Sequence, residues 1–342
     1  MIRYAPVKCT LKIVIIFFLS AASCMAQSSS RPGKAVVSPL TVKTVDITQG
    51  AQGTSAIDGV VQGQSAERYL KKKIVATAFV VNKLGQVVDI DNIEQGFPRE
   101  LLRKLDQSHK FLIRSSANLL SFSAQPENPS LRLVKQVAAE NDSQFVISGA
   151  IRNAGIGIEK KYWGLWKTNR RHIEIEFSVY DGLSGALLAN HNILKQADDK
   201  AIVGLDKPFG SAAFYATAYG KAINEILDES AKLITKDLES HAVLAKILKI
   251  DHGQIVIDAG KSSEILAGDL ATVEVANNEL PTMGLNSSQS KPLEYGLPRT
   301  NVGKIAIIQA QALFSVGELS AEVKAEDVKV GDFVRFNNVN TP

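Results

Sequence analysis

The stretch Arg170-Arg171-His172-Ile173-Glu174-Ile175-Glu176-Phe177-Ser178-Val179-Tyr180-Asp181-Gly182-Leu183-Ser184-Gly185-Ala186 fixes how the chain around it must fold. From His172 to Tyr180 the residues Ile173, Ile175, Phe177 and Val179 alternate with Glu174, Glu176, Ser178 and Tyr180. A period of two marks a strand with one packed face and one wet face. Asp181 to Gly185 supplies a turn, and Ala186 to Leu194 returns as the second arm of an antiparallel hairpin.

Upstream, the pattern alternates between strands and helices. Ile74 to Val81 is β-branched and almost continuously apolar, as expected of a strand covered on both faces. Pro98 to Gln107 places Leu101, Leu102 and Leu105 on one helical stripe, with Pro98 suited to a first turn. Lys110 to Ser115 reads as a strand, Pro129 to Asn141 as a helix and Gln144 to Ile151 as a strand. This order implies right-handed crossovers on one sheet. Downstream of the hairpin, Ser211 to Leu238 reads as one long helix whose core side runs through Tyr219, Ile223, Ile226, Leu227, Leu233, Ile234 and Leu238.

Beyond Ser240 the pattern becomes short strands and tight turns. Leu266 to Val273 and Val330 to Phe336 echo each other, each placing a Gly-Asp turn (Gly268-Asp269, Gly331-Asp332) directly before an alternating strand, as at the rim of a small barrel. Val243 to Ile250, Gln254 to Asp258 and Val302 to Phe314 supply further strands, while Asn277 to Thr300 is a long polar loop. The predicted fold class is α+β/α/β: a mixed-sheet αβ domain over 73–240, then a small β-barrel-like domain over 241–342.

The amino-terminal 26 residues read as a secretory signal peptide: cations at Arg3, Lys8 and Lys12, an apolar run from Ile13 to Leu19, then small residues. That run is shorter than the roughly 20 apolar residues a bilayer span requires. Cleavage after Ala26 is the first reading; lipidation of Cys24, tethering the protein to the outer membrane, is the second. Residues 27–72, rich in Ser, Gly, Gln and Thr, read as a flexible polar segment. Removing Arg3, Lys8 and Lys12 lowers the formal charge from +4 to +1, so the chain offers no clustered cations for nucleic acid. Both cysteines, Cys9 and Cys24, lie in the leader, which leaves no disulfide or thiol chemistry downstream.

Catalytic patterns are not apparent. The five histidines, His109, His172, His191, His241 and His252, are scattered and read as surface or turn residues, without metal-ligand spacing. Glu174 and Glu176 share the wet side of their strand, and a hairpin about Gly253 accounts for Asp251 and Asp258. Gly155-Ile156-Gly157 is an incomplete dinucleotide fingerprint, and no phosphate-binding loop or nucleophile elbow occurs, so no cofactor and no enzyme activity is expected.

One segment stands apart. Between Lys160 and Arg171 both tryptophans lie beside five cations, with Tyr162, Trp163, Trp166, Arg170 and Arg171 as candidate interaction residues. Such residues dominate interface hot spots. The same composition also suits rings that cover a sheet edge beside solvated cations, and both readings stand.

The segments Lys72-Lys73-Ile74-Val75, Arg170 to Glu176 running into Tyr180 to Ala186, Val256 to Gly260, and Phe314 to Ser320 followed by Val330-Gly331-Asp332 together resemble the flagellar assembly protein T family. The resemblance implies a middle domain similar to the amino-terminal domain of the periplasmic Tol-Pal translocation protein, followed by a small β-structure. It also implies a non-catalytic periplasmic component of the flagellar basal body, needed for outer-ring assembly and motility. The implied partners are P-ring, L-ring and stator-collar proteins, with self-association in a ring and no nucleic acid. Members of the family carry a further αβ domain after the signal, for which 27–72 is too short and polar. An outer-membrane assembly or secretion lipoprotein of the curli-secretion type is the alternative, and Cys24 is its marker.

Overall fold

The computed structural model describes residues 68–114, 129–161, 166–198, 203–276 and 299–337. Among them are a seven-stranded mixed sheet and a closed barrel of six strands.

The sheet grows from β1 (Lys72–Ala76), which pairs in parallel with β3 (Phe111–Ile113) on one side and β4 (Phe145–Asn153) on the other. β6 (Trp166–Asp181) is antiparallel to β4 over its second half and to β5 (Ile156–Lys161) over its first. β7 (Leu187–Asp198) takes the opposite side of β6 and completes the hairpin expected from the alternation. One face is covered by α1 (Ile93–Gln107) and α4 (Ala218–Glu239), which bury Ile74, Ile147, Ile173, Ile175, Phe177 and Val179. α2 (Leu131–Glu140) covers Val75, Val146 and Tyr180 on the other face. Tyr180, expected on the wet face, is therefore buried, because α2 lands on that end of the strand.

Three other expectations need correction. The apolar run from Ile74 to Val81 is not one strand: β1 ends at Ala76, and β2 (Val80–Val81) pairs with β4 farther along. The helix expected from Pro98 begins earlier, at Ile93, and holds Pro98 in its interior. Proline lacks the N–H that would bond the carbonyl four residues back. The Phe79 N–H donates to that Glu94 carbonyl at 2.8 Å, and the Phe79 ring packs on Phe97 at 5.2 Å. The break between β1 and β2 and the tolerated proline are thus one arrangement. Finally, the helix expected over 211–238 is two, α3 (Ala212–Tyr215) and α4, because extended Thr217 accepts the Gly220 N–H and caps a new start.

The barrel runs in the order β10 (Leu270–Ala276), β11 (Arg299–Ala310), β12 (Ser315–Leu319), β9 (Gln254–Ile257), β8 (Val243–Asp251) and β13 (Phe333–Phe336). β12 was not expected as a separate strand; a turn after Ala310 divides the apolar run Val302–Phe314 from it. The two Gly-Asp turns are built alike: Asp269 accepts the Leu266 N–H at 2.8 Å and Asp332 the Lys329 N–H at 2.7 Å. Gly268 and Gly331 hold φ of +95° and +101°, conformations that favour glycine.

Candidate functional site: a charged cleft between sheet and barrel

β1 enters the sheet from the barrel. Leu70 is buried in the barrel core, Arg68 pairs with Asp269 at 2.6 Å, and the Lys71 N–H donates to the Ser263 carbonyl at 3.1 Å. The end of the segment expected to be a flexible tether is therefore fastened, because an apolar residue at 70 finds a core to enter. Lys73, two residues into β1, is only 5% exposed. Its Nζ donates to Asp142 Oδ2 at 3.0 Å, to Asp258 Oδ2 at 2.9 Å and to the Asp258 carbonyl at 2.8 Å. Asp142 lies in the turn between α2 and β4, and Asp258 follows β9 of the barrel. One ammonium thus binds a carboxylate from each unit.

The surrounding groups reinforce this. Arg114, just after β3, donates to the Asp142 carboxylate. Asp258 also accepts the Lys246 N–H of β8 at 2.6 Å. Gln144 repeats the bridge by donating to the Ala242 carbonyl at 2.8 Å and accepting the Leu244 N–H at 3.2 Å. Burial pushes the Asp258 carboxyl above the ordinary carboxylate range, and Lys73 only partly offsets it. Burial acts on Asp142 in the same direction but is outweighed by Lys73 and Arg114, so its carboxyl lies below that range.

Above these groups opens a cleft of about 310 Å³, lined among others by Lys135, Leu183, Leu244, Lys246 and Phe333. All three ammonium protons of Lys73 are committed and Asp142 and Asp258 accept from their donors, so the arrangement fastens two units. Asp258, attributed in the sequence to a hairpin turn, belongs to this network; Asp251 is the exposed turn residue, paired with Lys249 at 3.3 Å. Sequence gave no signal for the network, because Lys73 meets partners 69 and 185 positions away.

The candidate interaction residues fare differently. Tyr162 and Trp163 lie outside the described residues, as do Cys24 and most of the 277–300 loop. The Trp166 backbone begins β6, opposite Lys161 of β5. Arg170 reaches Gln196 of β7 at 3.4 Å. Arg171 is corrected outright, being 1% exposed and not available to a partner. Its guanidinium bonds Asp89 through two nitrogens at 2.6 and 2.8 Å, donates to the carbonyls of Ala154 and Gln86, and stacks 4.3 Å from the Tyr219 ring centroid. Burial opposes ionisation of Asp89, but hydrogen bonds from Arg171 and the Val203 N–H outweigh it and hold the carboxyl below its usual range.

Two histidines also differ from a surface or turn reading. His191 bonds Asp237 of α4 at 2.6 Å, and His241 packs edge-on against Phe145 at 5.6 Å. Among the described residues, no group of three or more His, Cys, Asp or Glu could hold a metal ion, and no helix is long and apolar enough to cross a membrane.

Residues 63–198 match the family of the flagellar assembly protein T middle domain. No curated protein sequence matches the chain. Among solved structures, a hypothetical protein of Chlamydia trachomatis is 15% identical, with 49% of this chain aligned to 99% of that one at a TM-score of 0.36. A protein of Xanthomonas campestris is 11% identical over 52% of this chain and 91% of its own, with a TM-score of 0.32. The PelC dodecamer of Paraburkholderia phytofirmans is 11% identical over 50% and 88%, with a TM-score of 0.28.

Proposed function

From the match of residues 63–198 to the flagellar assembly protein T middle-domain family, we propose a non-catalytic periplasmic component of the flagellar basal body. It packs around the P and L rings, self-associates in a ring, takes stator-collar proteins as partners and is required for outer-ring assembly and motility. The middle-domain match is the observation that carries this reading. An amino-terminal leader of secretory type supports it. So does the cleft chemistry: Lys73, Asp142, Asp258 and Gln144 hold sheet and barrel in one relation, as a ring subunit requires if small contacts are to engage around a closed circle. In this reading the middle domain is built like the amino-terminal domain of the Tol-Pal translocation protein, and Tyr162, Trp163 and Trp166 supply a contact to a neighbour.

Deleting the gene tests the proposal by swimming assays and imaging of isolated basal bodies. The expected outcome is non-motile cells whose basal bodies lack periplasmic ring density. A motile deletion strain with intact rings overturns it. Replacing Trp163 and Trp166 together by Ala is expected to reduce retention on basal bodies while leaving the thermal unfolding midpoint unchanged.

A further inference from the structure

β7 is the outer strand of its sheet. It pairs with β6 from Leu187 to Asp198, and among the described residues no strand takes its other side. The opposite edge, β3, has three residues, whereas β7 has 12. An edge of that length presents a row of outward N–H and C=O groups that template pairing with another strand. Beyond a bulge at Leu188, near one end, the edge carries little of the usual protection. β7 contains no proline, and its one lysine, Lys195, is drawn to Glu229 of α4 at 3.0 Å.

The edge is also self-complementary. Leu188-Ala189-Asn190-His191-Asn192-Ile193-Leu194 reads nearly alike in both directions about His191. A bulge refines the match: Val179 faces Ala189 and Tyr180 faces Leu187, so Leu188 is the extra residue. Leu187 thereby joins Asn190, Asn192 and Leu194 on the face away from α4. Leu187 and Leu194 are 51% and 57% exposed, large values for leucine. On the α4 face Leu188 and Ala189 pack on the core, Ile193 is buried and His191 is held by Asp237.

From this geometry we infer that the β7 edge joins two copies of the chain, one β7 adding antiparallel to the other about a two-fold axis through His191. In that register Asn190 faces Asn192, Ala189 faces Ile193 and Leu187 faces Leu194, each pair occurring twice, as an isologous contact demands. The exposed leucines cover one another and the amides stand side by side, while on the α4 face His191 meets its own copy across the axis, each ring held by its Asp237. The contact is a closed pair, distinct from the head-to-tail contact of a ring, and it does not rest on the flagellar reading.

Sedimentation of the purified protein at tens of micromolar tests it. The wild type is expected to run as a dimer. Asn190→Lys with Asn192→Lys, which opposes lysines at both central pairs of exposed positions, is expected to weaken association at least tenfold and leave the circular dichroism spectrum unchanged. The register is tested by disulfide trapping. Asn190→Cys mixed with Asn192→Cys should cross-link on oxidation, whereas either alone places its thiols on a diagonal too long for a disulfide. A monomeric wild type, a dimer insensitive to the paired lysines, or a single cysteine variant that cross-links as well as the mixture overturns the inference. Should the lysine variant fail to fold, the cysteine pair decides.

Discussion

Arg171 and Lys73 are both buried cations held by carboxylates, yet Arg171 bonds Asp89, Gln86 and Ala154 of the sheet unit, while Lys73 divides its three donors between Asp142 of that unit and Asp258 of the barrel. A guanidinium offers a planar fork that satisfies a carboxylate bidentately and stacks on Tyr219, which suits a fixed position inside one fold. An ammonium is a compact charge with three divergent donors, which suits the joining of groups from separate elements. The cation's shape thus follows from whether it holds one unit or couples two.

The widest separation between the two sites is expected on removing the cations. Arg171→Met strands Asp89 and two carbonyls in the interior and should cost about 3–5 kcal/mol in urea unfolding. A loss below about 1 kcal/mol would show that the knot is not structural. Lys73→Met should cost less, about 2–3 kcal/mol, because the Asp142 side chain is 48% exposed and can be hydrated. Its distinguishing mark is cooperativity: sheet and barrel should unfold in two steps where the wild type shows one. A single sharp transition in Lys73→Met would mean that the cation does not couple the units.

Acid sharpens the contrast further. The Asp89 carboxyl is depressed in the folded state, so its stabilisation is complete above the ordinary aspartate range, near pH 4, and disappears as pH falls through the depressed value. Asp89→Asn should therefore be destabilising at pH 7 and approach the wild type in strong acid. Asp258 is raised, so its ionised form is disfavoured in the folded state, and that penalty is relieved as pH falls through its elevated value. Asp258→Asn should accordingly cost less at pH 7 than Asp89→Asn. Urea midpoints measured from strong acid up to neutral pH test both, and the reverse order at neutral pH would break the comparison. The smallest effects should be Gly268→Ala and Gly331→Ala. Each should lose about 1 kcal/mol from strain at positive φ, and calorimetry should find them equal if the two turns are the equivalents their sequences suggest.

Much of this was legible from residue spacing. The β6–β7 hairpin follows from Ile173, Ile175, Phe177 and Val179, and Arg171 is in phase with them, so its burial beneath α4 had a signal. The density of neighbouring cations and tryptophans obscured it. Pro98 likewise suggested a helix start, since chain order alone could not show that Phe79 would bond the Glu94 carbonyl. Tyr180 obeyed the wet-face alternation and was buried by a helix that precedes it by some 40 residues of chain. The β7 edge shows the same division: its near-palindrome is written in the sequence, but that it borders the sheet is a fact of topology.

By itself, the sequence determined the β6–β7 hairpin, most of the other strands and helices, the paired Gly-Asp turns and the resemblance to a flagellar family, because each rests on periodicity or turn chemistry within a few residues. Only the tertiary structure decided which cations are buried, which carboxylates they meet and which strand is left at the edge. Those outcomes depend on contacts between distant residues, such as Lys73 and Asp258, and a Coulombic or packing partner that far along the chain leaves no local pattern to read.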